Sequence, residues 1–246
     1  MVNIKSYTIK SDQGPYLQIN EDDVHLDLPN KLFMVLDGFG GSGVGDKAAE
    51  TVKNKVTEFY TKIGGDPDST LPFYYSKKYL LEGNALVNAI YSAHEHLKSV
   101  EHSKPVDKRG GAAGVFACLS ESVLTVAGVG NCLALLVRNG SIHSLFIPDD
   151  FRMYALDDHI SHFYSLPMSG LGLFDEVHFD VREARVKEGD SYVFLTDGVY
   201  SRLSVEKDIG RILDRSGSDL EKIDQLFKRA NERGNLDNQT ALILNF

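Results

Sequence analysis

In the N-terminal part of the chain, the pattern of apolar and polar positions predicts a strand followed by two helices. Lys31–Leu36 is a short apolar run that ends in Asp37-Gly38, which is typical of a buried strand that terminates in a turn or in a loop that carries a functional site. Phe39–Gly45 is too rich in glycine for regular structure. From Asp46 onwards apolar residues recur three and four positions apart, and this spacing returns over Lys78–Val100. Two consecutive helices are therefore expected to pack against each other.

Beyond these helices the period of the apolar pattern changes to two, which is typical of strands with one buried face. Short polar turns connect the predicted strands, so we expect an antiparallel meander. The strands are Gly111–Leu119, Val123–Val129, Cys132–Val137 and Ile142–Ile147. Pro148–Leu173 follows without a clear period and is predicted to be an excursion on the surface.

The C-terminal part of the pattern predicts two strands with a helix between them. Ser191–Leu195 and Thr240–Leu244 are the strands, and Leu220–Asn231 is the helix. No linker, low-complexity tract or internal repeat separates the elements, and roughly 250 residues can form one domain. The order of helices and antiparallel strands predicts a single α+β domain over residues 1–246, with helices packed on sheet.

Composition and charge narrow the class of protein. The 246 residues include 35 Asp and Glu against 26 Lys and Arg, a net charge of −9. Nucleic acids and anionic membranes are bound through clustered positive charge, so we expect neither as a partner. The first residues lack the apolar core of a secretion signal, and Cys118 and Cys132 are too few for a disulfide framework. A cytoplasmic protein is therefore expected.

Acidic residues lie at the ends of the apolar strands. Asp37 and Asp197 each follow a predicted strand, Asp237 precedes the last one, and Glu21-Asp22-Asp23 precedes an extended segment. Strand ends that are distant in sequence can meet in space, and carboxylates that meet there can bind divalent cations. The alternative is structural. An Asp-Gly pair commonly forms only a turn, because Asp hydrogen-bonds its own backbone and Gly accepts positive φ.

The glycine-rich segment allows a rival interpretation. Gly38–Gly43 satisfies G-x-G-x-x-G between a strand and a helix, which is the context of a dinucleotide-binding fingerprint. However, Asp37 would place a carboxylate beside the pyrophosphate, and a meander follows instead of further βαβ units. A nucleotide-dependent enzyme is the weaker hypothesis, and it predicts nucleotide binding without Mn²⁺.

The order of these motifs resembles that of the metal-dependent protein serine/threonine phosphatases of the 2C (PPM) type, in their bacterial form. Asn20-Glu21-Asp22 is similar to the family's first acidic motif, and Asp37–Ala48 is similar to Asp-Gly-Met-Gly-Gly-His with the helix after it. The other matches are Gly110–Ala113 with Gly-Thr-Thr-Ala, Val129–Asn131 with Val-Gly-Asp, Gly189-Asp190 and Thr196–Gly198 with Gly-Asp and Ser-Asp-Gly, and Asp237–Thr240 with Asp-Asn-x-Thr. Together they span nearly the whole chain in the family's order.

The resemblance implies a four-layer α-β-β-α sandwich, in which helix pairs flank two antiparallel sheets. It also implies that a water activated by two Mn²⁺ or Mg²⁺ ions hydrolyses phosphoserine or phosphothreonine in proteins. Asp37 would bridge both ions and be the catalytic residue. The other implied metal ligands are Glu21, the Gly38 carbonyl, Asp197 and Asp237. Asp22 and Asn238 would act outside them or through bound water.

Two departures from the family's pattern concern substrate and metal binding. Leu17 stands where the family has an arginine that grips the substrate phosphate, and Arg138, Arg152 and Lys47 are candidate substitutes. Asn131 replaces an aspartate that is associated with a third metal, so binding of a third ion is in question. Other departures concern the leaving group and the flap. Phe39 and Ser42 occupy positions of histidines in different family branches, and the flap region around residues 148–173 is shorter than usual.

Two functional hypotheses remain. The first is a monomeric protein serine/threonine phosphatase that acts on phosphorylated proteins and opposes a cognate serine/threonine kinase. The second is a catalytically weak or inactive phosphatase-like module that binds a phosphoprotein or a kinase. Leu17, Asn131 and the reduced flap region motivate the second hypothesis.

Overall fold

Short apolar runs separated by turns give this chain two five-stranded antiparallel sheets. The structure, a computed structural model, describes residues 2–40, 43–65, 70–105, 108–157 and 160–246. In the first sheet the order is β1 (Ser6–Asp12), β12 (Gln239–Asn245), β11 (Ser191–Leu195), β6 (Leu133–Arg138) and β7 (Ser141–Ser144). In the second sheet the order is β10 (Asp180–Arg185), β5 (Val123–Val129), β4 (Gly110–Ser120), β3 (Leu32–Gly40) and β2 (Asp22–Asp27).

Helices cover the outer face of each sheet. α1 (Gly45–Gly65) and α2 (Leu81–Glu101) pack side by side on the second sheet, as predicted from their consecutive helical patterns. The outer face of the first sheet carries α3 (Asp197–Tyr200), a π-type turn (Val205–Gly210), α4 (Arg211–Leu213) and α5 (Asp219–Glu232). Within the described ranges, no helix is both long and apolar enough to cross a membrane.

Three apolar cores join the four layers. Successive side chains of a strand point to opposite faces, and β3 is buried on both. Phe33 and Val35 face the other sheet. Met34 and Leu36 face α1 and α2. This double burial accounts for the continuous apolar run that predicts the strand. The layers confirm the expected α+β sandwich of two antiparallel sheets with helices outside.

The predicted end of β3 is wrong. The strand does not stop at Asp37-Gly38 but continues to Gly40, because Asp37 pairs with Ala113 of β4 and Gly40 pairs with Gly110. On its other side, Asp37 is directly opposite Asp22 of β2. Asp37 is therefore held between two neighbouring strands rather than in a turn.

The predicted meander is wrong at Gly130-Asn131. β4 and β5 form a hairpin in the second sheet, whereas β6 and β7 form theirs in the first. Gly130-Asn131 therefore crosses between the sheets. Gly130 has a φ of +69°, and a Cβ at this position would lie 2.5 Å from the Ser169 carbonyl oxygen, so the crossing requires glycine.

The predicted surface excursion, Pro148–Leu173, contains regular structure. β8 (Asp150–Asp157) and β9 (Ile160–Pro167) form a separate antiparallel hairpin. At its base, the Asp149 N–H donates to the Gly130 carbonyl oxygen at 2.8 Å, and the Met168 N–H donates to the Asp149 carbonyl oxygen at 2.9 Å. The mixed polarity of this segment does not show the period of two on which strand prediction depends.

Candidate metal centre

The acidic residues of the sequence motifs come together at one end of the two sheets. Asp22 and Asp37 lie opposite each other on β2 and β3 of the second sheet. Asp197 begins α3 shortly after β11, and Asp237 precedes β12, the neighbour of β11 in the first sheet. Thr196 follows β11 of the first sheet, and its hydroxyl donates to Oδ2 of Asp22 in the second sheet at 2.9 Å. The two sheets therefore contribute carboxylates to the same site.

The three most deeply placed carboxyl groups have raised pKa values. Burial raises the pKa of Asp37 well above its ordinary value, and the negative charges of Asp197, Asp22 and Asp237 raise it further. Burial, followed by the charges of Asp237 and Asp22, likewise raises the pKa of Asp197. Burial raises the pKa of Asp22 to about 7, although hydroxyl donors oppose the rise. Such a cluster resists simultaneous ionisation unless positive charge enters it.

Asp237 and Glu21 form the more open side of the site. Asp237 is exposed to solvent on one side, yet burial by the surrounding protein raises the pKa of its carboxyl. The Asn238 N–H donates to Asp237 Oδ1 at 2.9 Å, and the charge of Arg202 favours ionisation. Burial also raises the pKa of Glu21, which accepts a hydrogen bond from the Gly45 N–H at 2.8 Å. This rim gives access from solvent.

Gly38 lies where the end of β3 contacts the start of α1. Its N–H donates to the Glu21 carbonyl oxygen at 3.1 Å. A Cβ on Gly45 would lie 2.6 Å from the Gly38 carbonyl oxygen, so close approach of the backbones requires glycine here. Packing thus explains these two glycines without a nucleotide, and the surrounding carboxylates would repel a pyrophosphate group.

Asn131 lies at the crossing between the sheets and holds two of the carboxylates. Its Nδ2 donates to Asp197 Oδ2 at 2.8 Å, and its amide lowers the pKa of both Asp197 and Asp37 against the effect of burial. The Tyr200 hydroxyl donates to the Asn131 backbone oxygen at 2.6 Å. Asn131 Oδ1 is buried without a hydrogen-bond partner among the residues that the structure describes, so it is an oxygen ligand available to an ion or a water in the site.

The oxygen atoms of the site are ligands that suit hard divalent cations, although the acidic side chains that the structure describes are not close enough together to surround one. As they stand, no three His, Cys, Asp or Glu side chains in the described part of the chain could hold a metal ion. Carboxylates, a backbone carbonyl and an amide oxygen are nevertheless the ligands that Mg²⁺ and Mn²⁺ prefer. Burial and the neighbouring carboxylates raise the pKa of Asp37 and Asp197, so a cation among them would favour their ionised forms.

The loop that carries Leu17 is attached to the site. Asn238 Nδ2 donates to the backbone oxygens of Gln13 at 2.7 Å and of Ile19 at 3.0 Å, while Asn238 Oδ1 accepts from the Glu21 N–H at 2.9 Å. The Gln13 side-chain amide donates to the Leu17 backbone oxygen. Leu17 itself is exposed, so an apolar side chain occupies part of the loop beside the rim.

Two of the three candidate substitutes for the phosphate-binding arginine lie in different environments. Arg138 binds both oxygens of Asp190, at 2.7 and 2.6 Å, and is therefore engaged at the far end of β6. Lys47 is exposed in the first turn of α1. The side chain of Arg152, and the whole of Ser42, lie outside what the structure describes.

Sequence reasoning missed several polar residues of the site. Arg202 supplies positive charge near Asp237, and Thr196 and Thr240 donate to Asp22. Ser165 of β9 donates to Asp150 Oδ2 at 3.3 Å and also lowers the pKa of Asp197. Both threonines belong to the matched motifs Thr196–Gly198 and Asp237–Thr240, although sequence reasoning assigns them no role of their own, whereas Arg202 and Ser165 have no signal in the sequence.

Comparisons with known proteins support a phosphatase fold. The model of the protein phosphatase 2C family matches residues 11–148. The PPM Ser-Thr phosphatase MsPP from Mycobacterium smegmatis, solved with cacodylate, has 19% identity and a TM-score of 0.76, with 100% of both chains covered. The serine/threonine phosphatase PstP/Ppp of Mycobacterium tuberculosis has 21% identity and a TM-score of 0.75, with 98% of both chains covered.

A third solved structure contains metal. It is the catalytic domain of PstP in complex with 2 manganese ions, with 20% identity and a TM-score of 0.73, covering 98% of this chain and 97% of that one. No curated protein matches the chain. At these identities, the structural similarity establishes only the fold. Family membership is established by the family model, which matches more than half of the chain.

Proposed function

This chain belongs to the protein phosphatase 2C family, and we propose that its metal centre hydrolyses phosphoserine and phosphothreonine in proteins with two divalent cations. Membership of this family identifies the chain as a protein serine/threonine phosphatase. The proposal adds the ions, the residues that bind them and the competence of this particular site.

One observation carries the proposal: carboxylates from both sheets meet at one buried site, and burial with mutual repulsion raises their pKa values. A folded protein that keeps such charges together without a positive partner is poised to bind cations. PstP, the relative solved with 2 manganese ions, shares the fold. Two ions of Mn²⁺ or Mg²⁺ are therefore the cofactor that we propose.

We assign the roles from the position of each residue. Asp37 is central, since its carboxylate interacts with those of Asp197 and Asp237, and it would serve both ions. Glu21 and the Gly38 carbonyl, next to the start of α1, would serve one ion. Asp197 and Asp237 would serve the other.

Two further residues support these ligands. Asp22 accepts a hydrogen bond from the Thr196 hydroxyl on one of its two oxygens, and we assign it a supporting role, through bound water. Asn238 uses both amide atoms to hold Glu21 and the loop that carries Leu17, so its role is to orient the rim. Bound cations supply acidity to a water and neutralise charge on the transferred phosphoryl group. The protein's part is to bring the carboxylates together, and the Asn131 amide orients Asp37 and Asp197 for this purpose.

The proposal is tested by hydrolysis of p-nitrophenyl phosphate and of a phosphothreonine peptide. The wild type should turn over both with Mn²⁺ or Mg²⁺ and neither with chelator, whereas Asp37→Asn should lose about 100-fold or more, since it removes a ligand and its charge. Asp27→Asn is the matched control, because Asp27 contacts Asn30 at the other end of β2. Failure of the folded wild type to bind Mn²⁺ would refute the site assignment.

The second candidate function is a phosphatase-like module that binds a phosphoprotein or a kinase without efficient turnover. The exposed Leu17 at the position of the family's phosphate-gripping arginine favours it. The same assay separates the candidates, because a folded protein that binds Mn²⁺ but gives no turnover would support the binding module. A cognate kinase, a cytoplasmic location and a monomeric state remain part of the proposal.

A further inference from the structure

A concave basic pocket lies on the outer helix layer of the first sheet, apart from the metal centre. It has a volume of about 400 Å³ and contains five positively charged side chains and two carboxylates, a net charge of +3. The whole chain has a net charge of −9, so this local excess of positive charge runs against the overall balance. The basic pocket is lined by Lys207, Asp208, Arg211, Ile212, Arg215, Gln225, Lys228, Arg229 and Glu232.

Two helical parts of the chain contribute side chains to the basic pocket. The π-type turn and α4 place Lys207 and Arg211 four positions apart, on the same side of the chain. On α5, Gln225, Lys228 and Glu232 are spaced three, four and seven positions apart and so share one face. Two elements therefore face each other across the pocket, each with cations on its inner side.

The two carboxylates of the pocket are already neutralised. Asp208 accepts hydrogen bonds from Arg233 at 2.8 Å and from the Ser204 N–H at 2.9 Å, and these contacts lower its pKa. Glu232 pairs with Arg229 at 3.2 Å. By contrast, Lys207, Arg211 and Lys228 make no side-chain ion pair or hydrogen bond with the described part of the chain. Three cations are thus left to bind an external anion.

We propose that the basic pocket binds a phosphorylated segment of a partner protein. A phosphate ester carries a charge of about −1.5 to −2 and three acceptor oxygens, which suits several converging cations better than a single carboxylate does. Arg211 offers the planar fork that binds phosphate in two places. The bulk negative charge of the chain disfavours a nucleic acid, whose many phosphates would extend beyond the pocket over acidic surface.

The place of the pocket relates it to the metal centre. α5, which forms one wall, ends at Glu232, and the following loop carries Asp237. A neighbouring cavity of about 630 Å³ shares Lys228 and Glu232 with the pocket and extends to Gln239, next to Asn238. A protein whose phosphorylated segment is bound in the basic pocket can therefore extend along the neighbouring cavity. The basic pocket thus selects protein substrates that carry two phosphorylated residues, one bound in the pocket and the other hydrolysed at the metal centre. This selection rests on the proposed function, which supplies the hydrolysis.

The proposal is tested by fluorescence anisotropy in the presence of chelator, where the uncompensated carboxylates of the metal centre repel phosphate. The probes are a doubly phosphorylated threonine peptide, its unphosphorylated form, a form with glutamate at both sites, and a single-stranded oligonucleotide. The triple variant Lys207→Gln, Arg211→Gln, Lys228→Gln is compared with Lys62→Gln, Lys77→Gln, Lys78→Gln. The control removes the same charge from exposed lysines outside the pocket.

We expect the phosphopeptide to bind the wild type and the control, and to bind the pocket variant about tenfold more weakly. Equal binding by the pocket variant and the wild type would overturn the proposal, as would equal binding of the unphosphorylated or glutamate peptide, or tighter binding of the oligonucleotide. Hydrolysis of p-nitrophenyl phosphate should be the same in all three proteins. If the wild type lacks that activity, the proposed function fails while the binding result still decides the pocket.

Discussion

At Asn131, a single amide group opposes the effect of burial on two carboxylates of the candidate metal centre. Its Nδ2 donates to Asp197 at 2.8 Å and lowers the pKa of Asp37 as well. Asn131→Asp would remove this donor and add a carboxylate to the cluster. We expect the free energy of unfolding of the metal-free variant to fall by about 1–3 kcal/mol, and Mn²⁺ to restore more stability than it adds to the wild type. Denaturant unfolding in chelator and in Mn²⁺ measures both effects.

Asn131→Ala separates the two causes, because it removes the donor without adding charge. The aspartate variant should be the less stable of the two in chelator, and the order should reverse in Mn²⁺. A metal-free aspartate variant as stable as the wild type would contradict the idea that the cluster lacks positive charge.

Single residues show where sequence reasoning succeeds and where it stops. Asp37 and Asp197 are identifiable because an acid at the end of an apolar run is chemically conspicuous. The sequence nevertheless predicts a turn at Asp37, since Asp-Gly favours turns, and pairing with Ala113 of β4 overrides that local preference. The sequence gives no sign that Arg202 belongs to the site, because only the folded chain brings its charge near Asp237.

At the scale of elements, the junction between β3 and α1 holds the metal centre in shape. A Cβ on Gly45 would lie 2.5 Å from the Gly38 carbonyl carbon, and the neighbouring atoms are backbone that cannot rotate away. Gly45→Ala should therefore push α1 from β3 and weaken the bond from the Gly45 N–H to Glu21. We expect a loss of about 1–3 kcal/mol in the free energy of unfolding and weaker Mn²⁺ binding, measured by denaturation and by calorimetry.

Gly210→Ala is the matched control for this junction. There a Cβ would meet the Val205 carbonyl oxygen at 3.3 Å, outside the metal centre, so Mn²⁺ affinity should stay at the wild-type value. If Gly45→Ala also kept that affinity, the close packing of β3 on α1 would have no part in metal binding.

The elements themselves are easier to predict than their partners. Helical spacing identifies α1, α2 and α5 to within a few residues, because each helix buries one face. The crossing at Gly130 escapes prediction, since alternation identifies a strand but not the sheet that it joins. That crossing places Asn131 between the sheets, within hydrogen-bond distance of Asp197.

At the scale of the whole molecule, the metal centre is a product of the contact between two sheets. Asp22 and Asp37 come from one sheet and Asp197 follows a strand of the other, with the Thr196 hydroxyl joining the two sides at 2.9 Å. Convergence of strand ends was predictable in general terms. The pairing of these particular ends depends on three apolar cores that fix the layers, and no local pattern encodes it.

Coupling between the metal centre and the fold predicts how stability depends on pH. In the metal-free protein the pKa of Asp22 is raised to about 7, and those of Asp37 and Asp197 are raised as well. In the unfolded chain these carboxyl groups titrate near pH ~4. Between these values the folded state holds more protons than the unfolded state, so this cluster lowers the free energy of unfolding as pH rises from about 4 to about 7.

The half-buried His25 and the buried His94 act in the opposite direction. Burial lowers the pKa of His25 and His94, so their contribution increases the free energy of unfolding as pH rises toward the ordinary histidine value. Comparison with Asp37→Asn isolates the cluster, because both proteins keep the histidines. In chelator, the wild type should lose more stability between about pH 4 and about pH 7 than Asp37→Asn does, as measured by thermal unfolding. Parallel curves would mean that these carboxylates do not titrate in the folded protein, and Mn²⁺ should reduce the wild-type loss because it favours the ionised forms.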